Sequence, residues 1–173
     1  MGVKGLYKLF IDTGAFIALV DERDPLHQET RTFYTSLTKY TRLLTSLMVV
    51  SETSTWLRYH AGSNLAICFL EITEKAEKTG FLKVIIPDED VKSKAHTVLK
   101  KHLDQDLSYV DAVSFVILEA IKIKDIFGFD AHFYIIKRNL WPSSCPCLTS
   151  RNDTRMVFYL TYGRQPLQFR LRR

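Results

Sequence analysis

The sequence lacks several features that would assign it to a specialised class of protein. No run of apolar residues reaches the ~18 that a membrane span requires, so we expect no membrane segment. Three cysteines are too few, and odd in number, for a disulfide framework, and they fit a reducing compartment. The N-terminal segment has no long apolar core or small-residue cleavage site, so no signal peptide is predicted. These absences together predict a cytoplasmic protein.

Charge and composition predict one domain followed by a tail. The 173 residues, 46% of them hydrophobic, are enough for one globular domain with its own core. The net charge of +5 comes entirely from residues 141–173, which contain six arginines and a single acid, Asp153. The other 18 basic and 18 acidic residues balance. We therefore predict a domain over residues 1–140 and a basic tail over 141–173, whose order is left open.

Strands alternate with one or two helices along the first 140 residues. Short apolar stretches bounded by Gly, Pro or an acid predict strands, and apolar residues at helical spacing predict helices. This alternation is typical of an α/β fold with a mostly parallel sheet covered by helices. The predicted strands are 8–14, 42–46, 81–87 and 125–130, and the predicted helices are 15–20, 27–40, 47–60, 64–80, 88–102, 108–124 and a short one in 131–138.

Four carboxylates stand near the points where strands or loops give way to helices. Asp12 and Asp130 end the first and fourth predicted strands, and Asp111 lies in the first turn of the most apolar helix. Glu52 follows the second strand by about two helical turns. Ligands of open parallel sheets bind beyond the carboxyl ends of the strands. We therefore expect these four side chains to converge at that edge.

Converging carboxylates require compensating positive charge, which divalent cations supply. Oxygen ligands suit Mg²⁺ or Mn²⁺, and such a site suits phosphodiester hydrolysis. Each acid also has a structural explanation. Asp12 and Asp130 are suitable N-caps, Asp111 completes a capping box with Ser108, and Glu52 could be a solvated helix residue. The apolar flanking sequence favours a functional explanation, because burying an unpaired carboxylate is costly.

At these acids the chain resembles the PIN-domain family, and most of all its VapC-type toxin ribonucleases. The resemblance covers about residues 6–140, and the four motifs follow the family's order with spacings of 40, 59 and 19 residues between acids. The matching pieces are LFIDTGAFIAL (9–19), LLTSLMVVSETSTWLR (43–58), LSYVDAVSFVIL (107–118) and IFGFDAHF (126–133).

The resemblance implies a three-layer α/β/α sandwich with an acidic pocket that binds Mg²⁺ or Mn²⁺ and cleaves RNA. By motif match, Asp12, Asp111 and Asp130 would bind the catalytic metal. Glu52 would position the attacking water or complete the metal shell, with the Thr13 hydroxyl near the pocket. The resemblance also implies a homodimer and a cognate antitoxin that inserts a segment at the active site.

Two features depart from the family pattern. The family commonly has Thr or Ser two residues before the fourth acid, where this chain has Gly128, so a hydroxyl that supports Asp130 is expected to be missing. The segment 141–173 matches no part of the family and is either a genuine extension or a frame-shifted or read-through end. His132 is interpreted as a packed, hydrogen-bonded residue rather than a catalytic one.

The sequence therefore predicts a metal-dependent endoribonuclease, the toxin of a toxin–antitoxin pair. Two alternatives remain open: a PIN-fold ribonuclease of RNA processing or decay, and a binding module that has lost catalysis. The departure at Gly128 and the unmatched tail leave room for the second alternative. A phosphatase of another α/β fold is less favoured, because the IDTG piece at 11–14 lacks the paired aspartates such enzymes often use.

Overall fold

The computed structural model describes residues 7–142 and the backbone of two further short strands. The strands are β1 (Tyr7–Ile11), β2 (Thr41–Ser46), β3 (Leu82–Ile85), β4 (Asp125–Phe127), β5 (Asn139–Trp141), β6 (Thr161–Tyr162) and β7 (Gln165–Pro166). The first five form one all-parallel sheet in the order β3-β2-β1-β4-β5. Strands β6 and β7 form a separate antiparallel pair.

Six α-helices connect the strands within residues 7–142. They are α1 (Thr13–Val20), α2 (His27–Ser36), α3 (Leu47–His60), α4 (Ser63–Lys78), α5 (Glu89–Lys101) and α6 (Tyr109–Ala120). A 3₁₀ turn, Ala131–Tyr134, follows β4. Helical crossovers between parallel strands cover both faces of the sheet, which confirms the predicted three-layer α/β/α sandwich. Among the described helices, none combines the length and the hydropathy of a membrane span.

The core lies around the two central strands. Every residue from Leu9 to Ile11 in β1, and both Ile126 and Phe127 in β4, is at most 2% exposed. Such uninterrupted burial is typical of parallel strands that are covered on both faces. Helix α6 supplies seven consecutive buried residues, Ala112–Leu118, as its apolar composition predicted. The carboxyl ends of β1 and β4 are therefore held on a rigid support.

The predicted elements are present, and they differ from the structure mainly at their ends. The first strand, predicted as 8–14, ends at Ile11 because Thr13 already opens α1. Helix α4 was predicted as 64–80, and Gly80 follows its end with a φ of 75°, a left-handed conformation that stops a helix. The other main changes shorten 27–40 to His27–Ser36, 81–87 to Leu82–Ile85, 108–124 to Tyr109–Ala120, 125–130 to Asp125–Phe127 and 131–138 to Ala131–Tyr134.

Strand β5 was not predicted, and the expectation of four strands is corrected to five in this sheet. Three residues are too few to show the alternation that identifies a strand in a sequence. The strand pairs in parallel with β4, and the indole Nε1 of Trp141 donates to Asp125 Oδ1 at 3.2 Å. The domain boundary predicted at residue 140 falls inside this strand. Apart from β6 and β7, the predicted tail beyond residue 142 lies outside the described residues.

Candidate functional site

Asp12 lies at the carboxyl end of β1, the central strand of the sheet. Its backbone N–H donates to Phe127 O at 2.9 Å, which joins it to the end of β4. The residue is only 6% exposed. It occupies the N-cap position of α1, but its side chain makes no capping hydrogen bond. Asp12 is thus the N-cap residue that the sequence allowed, but capping does not account for the burial of its carboxyl group.

The environment of Asp12 disfavours its charged form. Burial raises the pKa of Asp12 to about 7, while the backbone amide of Thr13 opposes this shift. Repulsion from the carboxylates of Asp111, Asp130 and Glu52 contributes to the same rise in pKa. The four acids are thus close enough to act on one another electrostatically, as the sequence predicted. A cation among them would remove the conflict.

Glu52 projects into the cluster from the second turn of α3. This helix begins directly after β2 because the Ser46 hydroxyl accepts a hydrogen bond from Val49 N at 3.2 Å, which caps the first turn. The Thr13 hydroxyl donates to Glu52 Oε2 at 2.5 Å. Thr13 therefore lies beside the acids, as the resemblance implied, and it fixes the orientation of one of them.

The pKa of Glu52 is also raised, chiefly by burial. The hydrogen bond from Thr13 opposes this shift, and repulsion from Asp111 and Asp130 adds to it. Glu52 is half-buried rather than a solvated helix residue, so the structural explanation offered for it is wrong. A carboxylate with a raised pKa accepts a proton more readily than an ordinary glutamate.

Asp111 has the structural role that the sequence allowed for it. Its Oδ2 accepts a hydrogen bond from Ser108 N at 2.9 Å, and its own amide donates to Ser108 Oγ at 3.1 Å. This reciprocal capping box starts α6. A carboxylate has two oxygens, so this cap is compatible with a cation on the same group. The box also holds Asp111 at the edge of the sheet where Asp12 lies.

Asp130 opens the 3₁₀ turn and lies against His132. Its Oδ1 accepts a hydrogen bond from the backbone N–H of His132 at 2.8 Å. The imidazole Nδ1 of His132 is 2.9 Å from the same oxygen, but not in hydrogen-bonding geometry, and it has no other partner in the described part of the chain. Nδ1 of His132 is therefore buried against Asp130, as expected for a packed residue, but it lacks the expected hydrogen bond.

Asp111, Asp130 and His132 could together hold a cation. One potential ligand atom from each residue lies within 4.8 Å of the other two. Within residues 7–142, no other group of three or more His, Cys, Asp or Glu residues meets this distance. These two carboxylates and the imidazole, with Asp12 and Glu52 close enough to act on the acids electrostatically, could hold a divalent cation. The histidine was not predicted as a ligand. The sequence feature that could have indicated it is the position of His132 two residues after Asp130, the acid that opens the 3₁₀ turn.

Comparisons with known proteins find one family and several related sequences. The family model described as PIN domain matches residues 9–139, which include all four acids. A VapC ribonuclease from Archaeoglobus fulgidus is 29% identical over 138 residues, which cover 77% of this chain and 85% of that protein. The 23S rRNA-specific endonuclease VapC20 of Mycobacterium tuberculosis is 27% identical over 125 residues, which cover 72% of this chain and 91% of that protein.

Solved structures give the same fold. The crystal structure of M. tuberculosis VapC20, described as a sarcin-ricin loop cleaving toxin, matches with a TM-score of 0.69 at 24% identity, over 76% of this chain and 96% of that one. The structure of VapBC-1 from nontypeable Haemophilus influenzae matches with a TM-score of 0.51 at 16% identity, over 77% of this chain and 96% of that one. At these identities the matches establish the architecture.

Proposed function

Because the chain belongs to the PIN domain family, we propose that it is a metal-dependent endoribonuclease, the toxin of a toxin–antitoxin pair. The convergence of Asp12, Glu52, Asp111 and Asp130 at the carboxyl edge of the parallel sheet is the observation that carries this proposal. Relatives named as a VapC ribonuclease and a 23S rRNA-specific endonuclease support RNA as the substrate. The likeness to a VapBC structure supports an antitoxin partner.

The acids of the cluster would hold Mg²⁺ or Mn²⁺. We assign Asp12, Asp111 and Asp130 as metal-binding residues, with Glu52 completing the shell or orienting the attacking water. His132 adjoins them through Asp130. When bound, a divalent cation supplies the positive charge that these carboxylates require and polarises the scissile phosphodiester.

The side chains around the cluster prepare Glu52 for a proton transfer. Thr13 holds Oε2 of Glu52 in place, which leaves the second oxygen to contact a water molecule. The raised pKa of Glu52 suits it to take a proton from this water as the water attacks phosphorus. The bond from phosphorus to the leaving ribose oxygen then breaks, and that oxygen takes a proton from solvent. If Glu52 orients the attacking water rather than completing the metal shell, it is a catalytic residue in this step, and Thr13 positions it.

An RNA cleavage assay tests this proposal. A mixed RNA pool is incubated with the wild-type protein in Mn²⁺, in Mg²⁺ and in EDTA, alongside the Asp12→Asn variant. We expect cleavage in either metal and none in EDTA or with Asp12→Asn, which has nearly the same shape but lacks the charge. Glu74→Gln, an exposed acid paired with Lys78 on α4, is the matched control and should cleave normally. Full activity of Asp12→Asn would refute the assignment.

We further propose that the protein forms a homodimer and meets a cognate antitoxin in the cytoplasm. Expression of the wild-type chain should arrest growth, and co-expression of a small neighbouring gene product should relieve the arrest. Asp12→Asn should not arrest growth. Cleavage of RNA without any growth arrest would favour a ribonuclease of RNA processing or decay instead. Light scattering of the purified chain tests the dimer, for which about twice the 20.1 kDa monomer mass is expected.

A further inference from the structure

Gly128 and Asp12 are in unusually close contact at the edge of the acid cluster. A Cβ atom placed on Gly128 would lie 2.9 Å from Asp12 Cβ and 3.5 Å from Asp12 Oδ2. Carbon atoms that pack normally keep about 3.5–4.0 Å between them. Any side chain at residue 128 would therefore force Asp12 or the end of β4 to move.

The backbone on both sides of this contact is fixed. Asp12 N donates to Phe127 O at 2.9 Å, and Gly128 N donates to Trp141 O at 3.1 Å. The Thr45 hydroxyl donates to the carbonyl oxygen of Ile11, the residue before Asp12, at 2.9 Å. The Cβ of Asp12 moves only with its backbone, so a change of rotamer cannot relieve the clash. The displacement would have to come from the strand ends that carry the acids.

We propose that Gly128 is a positioning residue for Asp12, because the missing side chain is what allows the Asp12 carboxylate to take its place in the cluster. The effect on cation binding rests on the proposed function. The sequence predicted that Gly128 represents the loss of a hydroxyl group that supports Asp130. The close contact with Asp12 gives the glycine a different role. In this structure a Thr or Ser at residue 128 has no room for its Cβ, so Gly128→Thr weakens the site instead of restoring it.

Gly14 provides a matched control in the same region. It lies two residues after Asp12, in the first turn of α1, and a Cβ there would meet only Phe129 Cδ2, at 3.6 Å. This is an ordinary van der Waals distance. Gly14→Ala therefore adds the same methyl group beside the site without moving Asp12, and alanine suits a helix better than glycine.

Cation binding is the readout that separates positioning from general stability. Mn²⁺ affinity is measured by calorimetry on the full-length wild-type, Gly128→Ala and Gly14→Ala proteins, each checked for folding by circular dichroism. We expect Gly128→Ala to bind Mn²⁺ about tenfold more weakly or worse, and Gly14→Ala to bind like the wild type. Cleavage by Gly128→Ala should recover as the Mn²⁺ concentration is raised.

The outcomes separate this proposal from the proposed function. Equal Mn²⁺ affinity of the folded Gly128→Ala and wild-type proteins would overturn the positioning role while leaving the nuclease assignment intact. Absence of Mn²⁺ binding by the folded wild type would overturn both.

A double-mutant cycle covers the case in which Gly128→Ala does not fold. Asp12→Gly removes the Cβ that the new methyl group would strike, and glycine is tolerated at an N-cap position. We expect Gly128→Ala to lower the melting temperature in the wild-type background and to have little effect in the Asp12→Gly background. Equal destabilisation in both backgrounds would show that Gly128 does not act through Asp12.

Discussion

At the scale of single residues, Asp12 is the group whose burial conflicts most with its charge. Its pKa of about 7, against an ordinary value of 3.8, means that the folded protein binds a proton there more tightly than the unfolded chain does. Between about pH 4 and pH 7 the metal-free folded state therefore holds more protons. Its stability falls as the pH rises through this window and levels off above pH 7.

Asp12→Asn should consequently stabilise the metal-free protein, although it removes the proposed activity. The gain should be near zero at pH 4 and should grow to about 4 kcal/mol above pH 7, because each unit by which the pKa of Asp12 is raised corresponds to about 1.4 kcal/mol and asparagine avoids the buried charge. Urea unfolding in EDTA at pH 4, 6 and 8 measures it. A variant that is less stable than the wild type at pH 8 would contradict the environment described for Asp12.

Asp21, at the other end of α1, is a control for Asp12, because its pKa is shifted in the opposite direction. The Arg23 guanidinium lies 2.8 Å from its Oδ1 and holds the pKa of Asp21 below its ordinary value. The stability that this carboxylate contributes is present above its unfolded pKa and is lost as the pH falls through the lowered folded value. Asp21→Asn should therefore destabilise the protein at pH 7, by a small amount because Arg23 is largely exposed.

Some properties of single residues could be predicted from the sequence, and others could not. The burial of Asp12 could be predicted, since apolar residues precede it in the chain. The place of His132 and the contact between Gly128 and Asp12 could not, because both depend on distances between residues that no local pattern encodes. The capping box of Asp111 is local, so the sequence revealed it, but it did not exclude a second role.

At the scale of elements, the starts of the helices place the acids. Helices α3 and α6 begin with serine caps, Ser46 and Ser108, and each then carries one acid of the cluster. Helix positions were therefore predictable to within a few residues, because caps and glycine stops are local signals. Strand β5 was not predictable, since its three residues are identified only by their pairing with β4.

Ser108→Ala tests the link between a cap and the site. Loss of the hydroxyl that accepts from Asp111 N should cost about 1 kcal/mol of stability and should weaken Mn²⁺ binding severalfold, because the first turn of α6 carries Asp111, one of the proposed metal-binding acids. Asp88→Ala removes the cap of α5, where Asp88 Oδ1 accepts from Val91 N at 2.8 Å. It should cost similar stability without changing Mn²⁺ affinity. Equal effects of the two variants on Mn²⁺ affinity would contradict this prediction, because they would show that the Ser108 cap has no specific influence on the site.

At the scale of the whole molecule, charge and chemistry lie in different parts of the chain. Residues 1–140 have no net charge, and the excess of +5 lies in residues 141–173. The acid cluster and all five strands of the main sheet lie before residue 143. We propose that the nuclease domain ends after β5 and that the basic segment adds contacts to RNA phosphates that carry no sequence information.

A chain that ends at residue 142 tests this division. It should fold, bind Mn²⁺ with unchanged affinity and cleave RNA, but its RNA affinity should be lower and should depend less steeply on salt. The measurement is the slope of log affinity against log salt for the full and the shortened chain. A matched control replaces the six tail arginines with glutamine in the full-length chain and should give the same shallower slope. An unchanged slope would contradict a role of the tail in RNA binding.

We propose that the four acids form one cation site at which RNA is cleaved. A single Mn²⁺ titration tests it most directly, with melting temperature and RNA cleavage followed on the same wild-type and Asp12→Asn preparations. In the wild type both should rise over the same range of Mn²⁺ concentration, because the cation binds the folded state and enables cleavage at one place. Asp12→Asn should show neither response over that range. Cleavage that persists in EDTA, or equal stabilisation of Asp12→Asn by Mn²⁺, would show that the acids do not form such a site.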